Sequence, residues 1–332
     1  MEVIVAFFLA MISVILIRRF APAWGLVDMP NERSLHDDIV PRGAGIGFFL
    51  SAVVTNIFFH TEYVMEHAGI FLAVSVVVVA GLLDDLHDIG VKLKFMLLTL
   101  AALIVCFQGI CINDVGDFFG IHITFGWAAI PFTVFAIVGY TNALNLIDGL
   151  DGLAASISIV ILSGFLYIGL IHQDEFLLML SSSFIAVLLA FLIFNWRPAS
   201  IFMGDSGSLL LGFVIAILSI HSLAYLPPMH VLFMIAIPVL DTLVVIVRRI
   251  RNNQPIFQAD QCHIHHIMIR FFRENTSKTV IFLTILQAIY TFTSLHLNSD
   301  IDSGILLILF ILNAFLIYLG LNGIIVKQDK RC

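Results

Sequence analysis

Eleven apolar runs, each near the length that crosses a bilayer, dominate this 332-residue chain. A helix needs about 20 consecutive apolar residues to span the hydrocarbon. Such runs lie at roughly 3–17, 43–60, 68–83, 93–112, 121–141, 153–171, 176–194, 207–224, 229–247, 279–296 and 303–326. Charged residues make up only 12% of the chain, about half the share of a soluble domain, and the mean hydropathy is +1.06. The chain therefore reads as one all-α, polytopic membrane domain over residues 1–332.

The placement of charge orients it. Arg18, Arg19, Arg33, Arg42, Lys92, Lys94 and Arg197 flank the inner ends of alternate runs. Six more basic residues lie in the 248–278 loop, and Lys327, Lys330 and Arg331 form the tail. With eleven spans and the N-terminus outside, all sixteen Lys and Arg residues fall on the cytoplasmic side, as the positive-inside rule requires. The other side keeps Glu62, Glu66, Asp114, Asp117, Asp174, Glu175, Asp300 and Asp302. Arg18 and Arg19 follow the first apolar run rather than precede it, which fits an uncleaved span and not a removable signal peptide. The four cysteines show no paired spacing, so neither a disulfide frame nor a zinc site is expected.

The residues that carry chemistry gather in the cytoplasmic connections. Asp84 and Asp85 end an apolar run and Asp88 follows one turn later. On a helix Asp84 and Asp88 share a face, and three carboxylates that close call for a cation or for protonation. Asn142, Asn145, Asp148 and Asp151 recur at three-residue spacing, which predicts a second oxygen-rich helical face. A capped hairpin turn is the plain alternative, since Asn, Asp and Gly are ordinary turn residues. Phe202-Met203-Gly204-Asp205-Ser206-Gly207-Ser208 precedes the eighth run, where Asp205 or Ser206 is expected to cap a helix whose N-terminus could also receive an anion. Phe202 offers an aromatic face to a base, or an interfacial anchor.

The long loop 248–278 carries His263-Ile264-His265-His266 and Arg270, groups that suit either a transition metal or a phosphate; a solvated polar loop is the bland reading. The first loop adds Asn31 through His36 and Arg42-Gly43, basic and glycine-rich but weak alone. Asp241 lies inside the ninth run, a costly position whose partner the sequence does not name. Carboxylate and amide oxygens suit Mg²⁺ with substrate phosphates completing its shell. Read from residues alone, the inventory predicts a Mg²⁺-dependent phosphoryl-type transfer between a soluble diphosphate and a membrane lipid.

In their order, Asp84-Asp85-Leu86-His87-Asp88, Asn142 through Asp151, Phe202 through Ser208 and His263-Ile264-His265-His266 resemble the motifs of the polyprenyl-phosphate N-acetylhexosamine-1-phosphate transferases, in the WecA/TagO-like branch. The resemblance covers essentially the whole chain. It implies transfer of a HexNAc-1-phosphate, foremost GlcNAc-1-phosphate, from a UDP-sugar to undecaprenyl phosphate with release of UMP. The product would initiate a lipid-linked envelope glycan such as O-antigen, common antigen or a teichoic-acid-like polymer. Asn31 through Gly43 and Asn195-Trp196-Arg197-Pro198 look like relatives that use other HexNAc sugars.

The resemblance further implies Asp84 and Asp85 as a catalytic pair, with Asp148 and Asp151 as acidic residues near the nucleotide. Asn145 and Asp205 would hold Mg²⁺, with Mn²⁺ as the alternative, and Phe202 would stack on uracil. His263, His265, His266 and Arg270 would grip the diphosphate and sugar, and Asn142, Asp88 and Arg42 are further substrate-binding candidates. Expected partners are the UDP-N-acetylhexosamine, undecaprenyl phosphate and membrane lipid, with a homodimer as a further candidate and no nucleic acid. The expected location is the bacterial inner membrane with the site facing the cytoplasm. Two rivals use similar residues: a UbiA-type prenyltransferase, which gives no role to Phe202–Ser208 or the His loop, and a divalent-cation transporter with Asp241 on its path.

Overall fold

The computed structural model describes residues 1–30, 38–255 and 263–327. The Asn31–His36 stretch and the tail residues Lys330 and Arg331 lie outside these. From the N-terminus, α1 (Glu2–Phe20) leads through a two-stranded ladder, β1 (Val27–Asp28) with β2 (Val40–Pro41), into α2 (Gly45–Phe59). Next come α3 (Thr61–Glu66), α4 (Ala68–His87) and α5 (Val91–Phe107), then the hairpin β3 (Asp114–Phe118) and β4 (Ile121–Thr124). The helices α6 (Ala129–Ile147), α7 (Leu153–His172), α8 (Glu175–Asn195) and α9 (Gly204–His221) follow. The chain closes with α10 (Pro228–Met234), α11 (Ala236–Arg251), α12 (Ile264–Phe271), α13 (Thr276–His296) and α14 (Ser303–Lys327).

A helix stands at each of the eleven apolar runs. Among the described residues eight helices are long and apolar enough to cross a membrane, and α10 with α11 makes nine. The remaining two positions hold α2, of 15 residues, and α5, of 17. The protein is a multi-pass, all-α membrane protein. Helix α9 is its axis: every residue from Ser206 to Ile220 is buried, and α2, α4, α6, α7 and α8 pack around it. A helix apolar on all sides belongs in such a centre. Helix α1 instead buries one stripe, Ala6, Ala10, Val14 and Ile17, against α2 and α8. At the periphery α14 leaves Ile308, Leu312, Phe315 and Leu319 about half exposed, a face suited to lipid.

Two apolar runs fold differently from one straight span. The expected fifth run begins as a hairpin, and the helix starts only at Ala129. Phe119 and Gly120 both adopt positive φ between Phe118 and Ile121, the two-residue loop that joins right-twisted strands. The ninth run breaks at Ile235, where α10 and α11 meet at 87°. Buried Gln287 of α13 repairs that break: its Oε1 accepts from Ile237 N–H at 3.0 Å and its Nε2 donates to Met234 O at 2.6 Å. Inside a bilayer a broken helix needs such substitutes for its lost backbone bonds.

Candidate active site

Carboxylates at a helix C-terminus face the negative end of its dipole, so Asp84 and Asp85 at the end of α4 need support from elsewhere. Asp85 finds it at the N-terminus of α9. Its two oxygens accept the backbone N–H groups of Asp205, at 2.9 Å, and Ser206, at 3.0 Å. Asp85 thus caps α9 from another helix, and it is 2% exposed. The expected cap from Asp205 or Ser206 is not what forms; the residue preceding α9 is Met203, with no side-chain capping bond. Glycine makes the approach possible. Gly204 has φ +73°, and a Cβ there would lie 2.6 Å from Asp85 Oδ2; a Cβ on Gly81 would lie 2.6 Å from Asp205 O. Arg42 closes the arrangement by donating from Nη2 to the Asp85 carbonyl at 2.6 Å.

Asp84 turns to the neighbouring helix. Lys94, one turn into α5, forms ion pairs with Asp84 and with Asp205 Oδ2, the latter at 2.6 Å. From α6, Asn145 Nδ2 donates to Asp205 Oδ1 at 3.0 Å and to Ser208 Oγ at 2.8 Å. Asp205 is therefore the meeting point of α4, α5, α6 and α9.

The four-residue face expected on α6 ends early, because the helix stops at Ile147. Asp148 and Asp151 sit in the following loop, which still brings them to the site. Burial first, then the charges of Asp205, Asp85 and Asp151, push the Asp148 carboxyl up to about 7. Asp151 accepts from Arg197 Nη1 at 3.2 Å and from Ala199 N–H at 3.1 Å. Buried Asn195 stitches the same two loops, accepting from Gly152 N–H at 2.9 Å and donating to Ile201 O at 2.9 Å.

These groups enclose a cleft of about 330 Å³. Its walls carry Asp28, Asp85, Asp148, Asp151 and Asp205 against Arg42 and Arg197, with Asn145, Phe202 and His266 also reaching it. Of the expected site residues, Asp84 stands behind Asp205, joined to it through Lys94. Asp88 does not share a helical face with Asp84: it is the left-handed C-cap of α4, φ 49°, its N–H bonded to Asp84 O. Asn142 lies one turn deeper on α6 than Asn145 and does not line the cleft, and neither do His263, His265 and Arg270.

Five contributors were not named as site residues from the sequence: Lys94, Asp28, Asn195, Arg197 and Ser208. Lys94 had a legible signal. The connection between α4 and α5 is only Asp88 to Gly90, so a residue one turn into α5 must return beside one a turn before the end of α4. Asp28 had none, since it reaches the cleft through the β1–β2 ladder.

The profile of Glycosyl transferase family 4 matches residues 67–223, the stretch that supplies α4, α6 and α9. A Bacillus subtilis (strain 168) protein named "Probable undecaprenyl-phosphate N-acetylglucosaminyl 1-phosphate transferase" is 35% identical over 348 aligned positions, covering 99% of this chain and 94% of its own. The undecaprenyl-phosphate alpha-N-acetylglucosaminyl 1-phosphate transferase of Escherichia coli O157:H7 is 31% identical, covering 91% and 84%. Its Yersinia pestis namesake is 32% identical, covering 81% and 76%. Similarity of this extent sets aside the prenyltransferase and transporter readings. The chain belongs to glycosyl transferase family 4, among its polyprenyl-phosphate N-acetylhexosamine-1-phosphate transferases.

Proposed function

We propose that the protein transfers GlcNAc-1-phosphate from UDP-GlcNAc to undecaprenyl phosphate and releases UMP, at the cytoplasmic face of a bacterial inner membrane. The observation that carries this reading is Asp205, held at the N-terminus of the central helix with Asn145, Lys94 and Asp84 around it. The relatives' names supply the lipid acceptor and the sugar. Charge supports the side of the membrane. Arg18, Arg42, Lys92, Lys94, Arg197 and Arg248 sit at the same helix ends that build the cleft, and such residues mark cytoplasmic loops.

The donor set suits a hard dication. Asn145 spends its N–H groups on Asp205 and Ser208, so its carbonyl oxygen is the group left for a ligand. Asp84 Oδ1 is buried with no hydrogen-bond partner among the described residues. Among the described residues no three His, Cys, Asp or Glu side chains are placed to hold a metal ion by themselves; Mg²⁺ favours one or two protein carboxylates and takes the rest of its shell from substrate phosphates. Asp205 and Asn145 would hold Mg²⁺ or Mn²⁺, which when bound neutralises charge on the diphosphate.

In the transfer, an oxygen of the lipid phosphate attacks the β-phosphorus in line. The bond from that phosphorus to the bridging oxygen breaks, and UMP leaves with the electron pair. Most of the barrier lowering is then positioning and charge neutralisation. Lys94 and Arg42 supply fixed positive charge beside the acidic groups, and Phe202 gives the cleft a flat apolar wall for a base. A base is not compulsory, since a phosphate monoester with a second pKa of about 6 is largely dianionic at neutral pH. Asp148, titrating near neutrality, is a carboxyl group able to hold a proton at the site.

The test is release of UMP by the purified protein from a panel of UDP-N-acetylhexosamines, with undecaprenyl phosphate and Mg²⁺. UDP-GlcNAc should give the fastest release, dependent on both additions. Failure of every donor would overturn the reading, and preference for another HexNAc would change the sugar alone.

A further inference from the structure

Asp241 is a carboxylate with no exposure, set within α11 of the bent pair. Such a group is expensive in a bilayer, and an apolar residue of similar size would serve packing at least as well. Both its oxygens are satisfied from one place. Oδ1 accepts from Ile264 N–H at 2.5 Å and Oδ2 pairs with His263 Nδ1 at 2.6 Å. Asp241 therefore caps α12 from α11, as Asp85 caps α9 from α4.

What the cap fixes is a row of rings. His263 stacks on His265, with centroids 5.6 Å apart and planes 15° from parallel, and His265 lies 4.2 Å from His266. His265 is buried, both its ring nitrogens lack a hydrogen-bond partner among the described residues, and burial with the neighbouring His266 drives its pKa down to about 3. It is a neutral wedge. Its ring rests on Gly149, where an added Cβ would come within 3.2 Å of two ring carbons. Gly149 follows Asp148 and lines the cleft, as does His266. One end of this row is pinned in the membrane helix, and the other stands at the site.

We propose that Asp241 is a positioning residue for the transfer reaction: by holding His263 and the first amide of α12, it sets through His265 where His266 and the Asp148–Gly149 loop stand. This rests on the transferase reading above. Of the three imidazoles, His266 is then the one that meets substrate, while His263 and His265 act through it.

The test is a double-mutant cycle between Asp241 and His266. Misplacing a group by about 1 Å can cost about 100-fold in rate, and Asp241→Ala should lose activity on that scale in UMP release. His266→Ala should cost the wild type a similar factor but the Asp241→Ala background less than about threefold, since coupled groups do not add. His263→Asn keeps a nitrogen donor where Nδ1 stands and should recover most of the activity that His263→Ala loses. Amide hydrogen exchange supplies a readout independent of turnover. Residues 264–267 should exchange faster in Asp241→Ala, with α13 unchanged. Losses that simply multiply, or unchanged exchange in α12, would overturn the proposal. A wild type that releases no UMP with any donor defeats the transferase reading instead, and the exchange measurement still decides whether Asp241 pins α12. If Asp241→Ala does not fold, the His263 pair carries the test.

Discussion

Both ends of the helix bundle are rich in carboxylates, but they treat them differently. At the end away from the cleft, acidic side chains meet donors of their own. Asp174 caps α8 by accepting from Leu177 N–H, and also from Tyr225 and His221. Asp302 accepts from Phe119 and Gly304 N–H groups, and His60 bridges Glu2 and Glu175. At the cleft end, five aspartates line the cleft with two arginines, and Asp84 and Asp205 share a single lysine. At the far end each acidic side chain has donors of its own. At the cleft end the carboxylates share few cations and keep negative charge to spare.

That contrast can be broken by substitution. The largest effect is expected at Asp205. Asp205→Ala should abolish UMP release while leaving the protein inserted and folded; retained turnover would remove Asp205 from the site. Asp85→Ala comes next, because it strands two buried amides at the head of α9. An unsatisfied buried group costs about 1–3 kcal/mol, so thermal stability in detergent should fall by a few kcal/mol and activity with it. An unchanged melting temperature would show that the cap is dispensable.

At the other end, Asp174→Ala removes an ordinary N-cap worth about 1 kcal/mol. It should lower the melting temperature slightly and leave the KM for the UDP-sugar unchanged. A raised KM would mean the two ends are coupled. The smallest effect is a pH dependence at His60. Burial disfavours its charged ring, but Glu2 and Glu175 outweigh that and raise its pKa above 6.5. A raised folded-state pKa gives stability that is fully present below about 6.5 and is lost as pH rises through the folded value. The melting temperature should therefore decline between mildly acid and alkaline pH, and by less in His60→Ala. Equal slopes would show that the bridge contributes nothing.

The comparison also explains what was legible in the sequence. The helices, and the collection of Asp84, Asp85, Asn145, Asp148 and Asp205 into one place, followed from apolar length and from charge placement. Capping across helices did not follow. Asp241 read as a lone costly carboxylate and Asp85 as one of a crowded three, because the amides that satisfy them belong to α12 and α9, 23 and 120 residues away. The break at Ile235 was invisible for the same reason, since Gln287 lies 50 residues beyond the Ile237 amide it accepts from. Asp88 and the hairpin at 114–124 were misplaced by periodicity alone. A hydropathy window does not register a left-handed cap or a two-residue turn.

The central claim is that the cleft moves a phosphosugar, and so cuts the bond between the β-phosphorus and the bridging oxygen. UDP-GlcNAc labelled with ³²P at the β-phosphate tests it most directly. With undecaprenyl phosphate and Mg²⁺, the label should enter the lipid phase while unlabelled UMP appears in the aqueous phase in equal amount. Label retained in the aqueous phase as UDP, with unlabelled sugar on the lipid, would contradict the account.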